Sequence, residues 1–291
     1  MFECIPNVSE GRDPAVIDTL ARAAGSSLLD VHVDADHHRS VFTLGAPSTR
    51  EALESAEALA LVVADRLDVS THTGAHPRFG ALDVVPFVAF DDSSSGDVTD
   101  AVEAAIRFAA WVGDTLAIPS FLYGSADPEA RGLPDVRRDA FSRRTPDFGP
   151  PSPHPRLGAT AIGVRGLLVA VNVELREGDL ALARSIARSV RERDGGLPGV
   201  RALGFELESR GSVQVSMNLV DLAATGLERA CEEVRHRAED AGAHVERVEL
   251  VGLLPSAELA RTSTGFRDWA RIGPDQTIEA RLAARGLAGG T

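Results

Sequence analysis

The chain has 291 residues, 44% of them hydrophobic and 25% charged, which suits two compact units of ordinary size or one large one. A formal net charge of -13 argues against nucleic acid as a partner, because a phosphate backbone calls for a basic footprint. No lysine occurs, so all 30 Lys-or-Arg positions are arginine, and Schiff-base chemistry, a pyridoxal phosphate anchor and a Walker-type phosphate loop are excluded together.

In chain order, Phe2 to Ile5 reads as a strand, followed by Asp13 as N-cap with Pro14 at the first helical position. Val16, Ile17, Leu20, Ala21 and Ala24 then give a helical apolar face that stops at Gly25. Leu28 to Val33 and Arg39 to Leu44 are strands joined by the polar turn Asp34 to His38. Ser48 and Glu51 have the spacing of a capping box and open a helix to about Asp65. A loop rich in Gly and Pro follows, then a strand from Asp83 to Phe90 and a turn from Asp91 to Gly96. A helix marked by Val102, Ala105, Ile106, Ala109 and Val112 and a strand from Ala117 to Tyr123 come next.

From Arg137 to Gly158 periodicity gives way to Arg-Arg pairs and five prolines, the composition of a linker between units. Beyond it lie a strand from Gly166 to Val173, a helix capped by Asp179, strands from Val200 to Leu207 and from Ser212 to Leu219, a helix opened by Thr225 and Glu228 as a second capping box, and a strand from His244 to Val251. That order, βαββαβ, is the split βαβ arrangement, and the N-terminal region repeats it with an added helix and strand. The expected fold is therefore α/β (α+β): two tandem ferredoxin-like sandwich subdomains, 1–164 and 165–291, with a ligand cleft between them. In the strand Ser212 to Leu219, helices on one face would leave Gln214, Ser216 and Asn218 to line that cleft or to face water.

No apolar run is long enough to span a bilayer, and the N-terminus lacks a basic segment and apolar core, so a cytoplasmic location without membrane contact is expected. Cys4 and Cys231 read as buried free thiols.

The chemistry is expected in the loop Thr71 to Asp83, which carries His72, His76, Arg78 and Asp83 and runs straight into an apolar strand. His72 and His76 are four apart, but Gly74 and Pro77 remove the helix on which that spacing would bind a metal, and no glutamate lies between them; no metal is expected here or in the Asp-rich turn at His32 to His38. A loop imidazole is instead read either as a general base, with Asp83 or Asp36 to orient it, or as a structural histidine. Arg39, Arg78, Arg156 and Arg165 are the guanidinium groups suited to an anionic ligand.

The sequence resembles the formiminotransferase family. The resemblance rests on Glu3 to Gly11, Leu28 to Val31, His76 to Val84, Leu122-Tyr123-Gly124, Pro146 to Pro150, Gly158-Ala159-Thr160, Gln214 to Leu219 and Leu250 to Pro255, taken in their order and spacing. It implies transfer of a formimidoyl group between N-formimidoyl-L-glutamate and tetrahydrofolate, a step of histidine degradation, by a homodimer that binds folate between two subdomains. Folate-dependent formyl transfer to glutamate and non-catalytic folate binding are the alternatives. It also implies His76 as general acid and base and Gly149 to Gly158 as the folate segment; with the residue reading, the candidate set is His76, His72 and Asp36 for catalysis and Arg39, Arg78, Asp147, Phe148, Gly149, Pro150, Gly158, Gln214, Ser216 and Asn218 for substrate binding. His32, His38 and Ala75 depart from the mammalian pattern, so Asp34 or Asp36 is named as a substitute orienting carboxylate. A cyclodeaminase domain is not expected within this length.

Overall fold

The computed structural model describes residues 1–89 and 95–287, and it divides into two compact units, the first built mainly from Met1–Gly166 and the second from Leu167–Ala284. In the first unit, β1 (Phe2–Cys4) and β2 (Asn7–Val8) form one interrupted strand, followed by α1 (Pro14–Ala24), β3 (Leu28–Asp34), β4 (Arg39–Ala46), α2 (Thr49–Arg66) and β5 (Leu82–Ala89). The sheet runs β3, β4, then β1 with β2, then β5, all antiparallel. Pro6 and Pro86 explain the interruption: neither has an N–H, the ladder between Cys4 and Asn7 reduces to Ile5 N–H donating to the Pro86 carbonyl, and Phe42 N–H takes up the Pro6 carbonyl. Asp13 caps α1 through the N–H groups of Ala15 and Val16, and Gly25, at φ +63°, ends it. Ser48 caps α2 by accepting from Glu51 N–H.

The sheet then grows in a way the sequence pattern does not show. After α3 (Ser95–Leu116) come β6 (Ser120–Gly124), α4 (Leu133–Asp139) and β7 (Thr160–Val164), and β7 inserts between β5 and β6 with both pairings parallel. The stretch read as an inter-unit linker, Arg137 to Gly158, is therefore an excursion inside the first unit that ends in a buried strand. The expected turn at Asp91 to Gly96 begins outside the described residues, and α3 has already started at Ser95. Leu122 and Ile162 face the main core under α1, α2 and α3, whereas Phe121, Tyr123 and Ala161 face a second cluster that includes Val136 of α4. Helices thus cover both faces of this sheet, not one, because the parallel β6–β7 pair has apolar side chains on each face.

The second unit holds β8 (Val169–Arg176), α5 (Leu180–Val190), β9 (Val200–Leu207), β10 (Ser212–Leu219), α6 (Leu227–Asp240) and β11 (His244–Val251), with sheet order β11, β8, β10, β9 throughout antiparallel. This is the split βαβ topology, and the two units are tandem α/β subdomains. Val213, Val215, Met217 and Leu219 lie in the core with Ile186 and Val190 of α5 and Ala230 and Val234 of α6. The α6 cap differs from the expected box: Gly226 is the N-cap, Glu258 accepts from Leu227 N–H at 2.6 Å, and Glu228 turns to Ser263. A carboxylate far along the chain replaces the local threonine, a substitution that spacing cannot show.

Candidate functional site

The loop before β5 is held from three sides. Ser9, just past β2, donates its N–H to the Ala81 carbonyl and its hydroxyl to the Gly80 carbonyl; Ala75 N–H donates to Asp36, and Ala81 N–H to Leu157. Gly80 is required by this packing, since a Cβ there would meet the carbonyl oxygens of Ala159 and Leu157 at 2.2 and 2.4 Å. Phe79 anchors the middle of the loop against Phe121 and Phe141, with centroids 5.3 and 6.4 Å away. Arg78, expected at a ligand, spends its fork on the loop: it donates to the carbonyls of His72, Gly74 and His76 at 2.7, 2.9 and 3.2 Å. It is a staple for the segment that carries His76.

At the centre lies Asp83, fully buried at the start of β5. Its Oδ2 accepts from Arg39 Nη1 and from Arg137 Nη2, the latter at 2.6 Å, and its Oδ1 accepts from Phe79 N–H. Burial alone would raise this carboxyl, but Arg39, Arg137 and the Phe79 N–H outweigh it and hold it below the usual carboxylate range. Arg39, the first residue of β4, reaches across the short β2 and also donates to Asn7 Oδ1 at 2.7 Å.

His76 lies against this cluster, with Nδ1 2.6 Å from the Pro77 carbonyl and 3.2 Å from Arg39 Nη1. The Pro77 carbonyl only accepts and the Arg39 guanidinium only donates, so the two contacts ask for opposite tautomers; the shorter one, to the carbonyl, places the proton on Nδ1 and the lone pair on Nε2. Burial, and then the charge of Arg39, push the imidazole down from 6.5 to about 3, so it is neutral at physiological pH. His37 lies 5.8 Å away, ring to ring. His72 stacks on His38 with centroids 3.8 Å apart, and burial followed by the nearby His38 lowers it to about 4.

These depressed imidazoles have a measurable consequence. Both titrate near 6.5 when unfolded, so between about pH 6.5 and about pH 3 the unfolded chain binds more protons than the folded one. Their contribution to stability is complete above that window and lost as pH falls through it. The thermal midpoint should fall on acidification from about pH 6.5 to about pH 4.5, and the fall should be shallower in His76→Asn; parallel curves for the two proteins would contradict the assignment.

Of the other expected site residues, Asp36 joins the loop through its carbonyl, and Asp34 accepts from His37 N–H at 2.8 Å. Gly158 pairs with Gly80 beside the loop. Asp147 accepts from Leu122 N–H and Arg144 at 2.8 and 2.6 Å, and Phe148 packs at the main core. Gly149, at φ +82°, approaches Gly113 of α3, and Pro150 follows it. Asp147 and Phe148 are bound to β6, and Gly149 lies against α3. Gln214, Ser216 and Asn218 lie in the second unit on the β10 face away from its core, respectively buried, half-buried and exposed.

Asn7 and Arg137 are the cluster members that composition did not single out, whereas His37 stood in the turn weighed as a metal cluster. Asn7 sat within a matching stretch, and Arg137 had a local signal in Gly132-Leu133-Pro134-Asp135, a helix start with proline near its first position. Among the described residues, no group of three or more His, Cys, Asp or Glu side chains is placed to hold a metal ion, and no helix is long and apolar enough to cross a membrane.

Comparison with known proteins agrees in both units. The N-terminal subdomain model of the formiminotransferase domain matches residues 1–165, and the formiminotransferase domain model matches residues 170–270. Glutamate formimidoyltransferase of Streptococcus pyogenes serotype M1 is 38% identical over 274 residues, covering 89% of this chain and 90% of that protein. The protein of the same name from Thermoplasma acidophilum is 37% identical over 276 residues, covering 89% of each. Formimidoyltransferase-cyclodeaminase of Mus musculus is 34% identical over 94% of this chain, which spans 53% of that longer protein. With this coverage and the tandem α/β subdomains, the chain belongs to the formiminotransferase family.

Proposed function

We propose that this chain is a glutamate formimidoyltransferase, moving a formimidoyl group between N-formimidoyl-L-glutamate and tetrahydrofolate, with His76 carrying the proton. The observation that most supports the reaction is the similarity, along nearly the whole of both chains, to two proteins bearing that name. The observation that supports the role of His76 is a neutral imidazole, its tautomer set by the Pro77 carbonyl, beside a buried Arg39–Asp83 pair.

In this mechanism a nitrogen of tetrahydrofolate attacks the imine carbon of the formimidoyl group and a C–N bond forms. His76 Nε2 takes the proton shed by the attacking nitrogen. When the C–N bond to glutamate breaks, the same imidazolium returns the proton to the departing amine nitrogen. One group thus serves as base and then acid. Arg39 and Arg137 disfavour the imidazolium that this step must form in passing. Asp83 balances part of that positive charge from a fixed position. No step needs a metal. On the family resemblance, the enzyme is also proposed to act as a cytoplasmic homodimer.

The test is donor choice. Glutamate release is followed with tetrahydrofolate and either N-formimidoyl-L-glutamate or N-formyl-L-glutamate at matched concentrations. Turnover with the formimidoyl donor supports the proposal; turnover confined to the formyl donor replaces it with formyl transfer.

A further inference from the structure

Asp83 serves two guanidinium groups, and that pairing leaves a positive charge in excess beside a neutral His76. Two neighbouring carboxylates are engaged elsewhere. Glu10 is engaged by His38 and by the N–H groups of Arg12 and Asp13, and Asp34 by His37. Arg39 is engaged by Asp83 and Asn7, and its Nη1 also lies 3.2 Å from His76 Nδ1. Arg137 differs. Among the described residues its fork has a single hydrogen-bond partner, Asp83, its Nε is buried without one, and its side chain keeps 23% exposure. A buried N–H donor left unpaired is costly, and a planar guanidinium with donors to spare is shaped for a carboxylate.

We infer that Arg137 is a further substrate-binding residue, which receives the α-carboxylate of the glutamate moiety of the group donor through its unused donors. The inference rests on the reaction proposed above for its choice of ligand. Both substrates carry glutamate carboxylates, and chemistry decides between them. In N-formimidoyl-glutamate the α-carboxylate is attached to the carbon that bears the reacting nitrogen. In tetrahydrofolate the glutamate is separated from the reacting ring by an aminobenzoyl group. A carboxylate bound next to His76 therefore belongs to the donor. Its arrival would supply the counter-charge that the free site lacks, at the point where positive charge develops on the imidazole.

The test compares wild type with Arg137→Gln and Arg137→Lys. L-glutamate binding is measured by calorimetry, and KM is measured for each substrate. Arg137→Gln should weaken glutamate and raise the KM of N-formimidoyl-L-glutamate by roughly tenfold to a hundredfold, with the KM of tetrahydrofolate within about twofold of wild type. Arg137→Lys keeps a charge for Asp83 and should keep the wild-type melting temperature, with glutamate affinity between the other two; it decides the matter if the Gln variant does not fold. Equal glutamate affinity in all folded variants, no glutamate binding to wild type, or a parallel rise in both KM values would overturn the assignment. A wild type that binds glutamate through Arg137 yet transfers no formimidoyl group would refute the proposed reaction and leave the binding site standing.

Discussion

His76→Asn should lower turnover by roughly two to four orders of magnitude, the usual worth of a positioned acid and base, while folate and glutamate affinities stay close to wild type. Asparagine is the informative replacement because its amide N–H can still donate to the Pro77 carbonyl, the contact that fixes the native ring at 2.6 Å. The loop is also tied by Arg78 and Ser9, neither of which bonds to the imidazole. Loss of rate without loss of binding would locate the effect in proton transfer. Single-turnover kinetics with binding measured on the same protein separates the two. A near-normal rate would remove His76 from the reaction and direct attention to His72, whose stacked ring is the other depressed imidazole of the loop.

Asp83→Asn should have the largest structural effect of any single change at the site. Asp83 is fully buried, and its removal leaves Arg39 and Arg137 facing each other with only a neutral amide between them. Breaking a buried pair from one side costs about 3–5 kcal/mol, and partial exposure of both arginines points to the lower end. At about 3 kcal/mol, a unit of this size should lose about 6–12 °C in melting temperature. Activity should fall as well, because the added positive charge works against any proton on His76. A melting temperature within about 1 °C of wild type would show that the two guanidinium groups do not depend on Asp83.

The second unit was readable from sequence because its elements are local statements. β10 alternates strictly, β9 and β11 have clear ends, and Asp179 caps α5 through Leu182 N–H as its position implies. The first unit was readable up to α3 and β6 for the same reason. What followed was not, because β7 is five residues of small and apolar side chains that show no period, and its place between β5 and β6 is set by parallel pairing across the sheet. The glutamate that caps α6 lies 31 residues from the N–H it receives, so the local Thr225 and Glu228 pattern misled.

The site divides along the same line. Composition singled out the His76 loop, since two glycines, a proline and four titratable groups in one short stretch are unusual next to a buried strand. It did not determine which carboxylate serves the site. Asp36 and Asp83 are equivalent in sequence terms, and only the shortness of β2, which lets β4 and β5 side chains meet beyond its end, brings Asp83 to Arg39. Arg137 was hidden by its surroundings of prolines and paired arginines; its contact with Asp83 spans 54 positions.

The first measurement to make is a stoichiometric assay of wild-type protein with tetrahydrofolate and N-formimidoyl-L-glutamate, in which formimidoyl-tetrahydrofolate formation is followed by absorbance and free glutamate is quantified in the same samples. The proposed reaction requires equal amounts of the two products, formed in proportion to enzyme concentration and slowed by roughly two to four orders of magnitude in His76→Asn. Tetrahydrofolate bound without either product appearing, or product formed at an undiminished rate by His76→Asn, would contradict it.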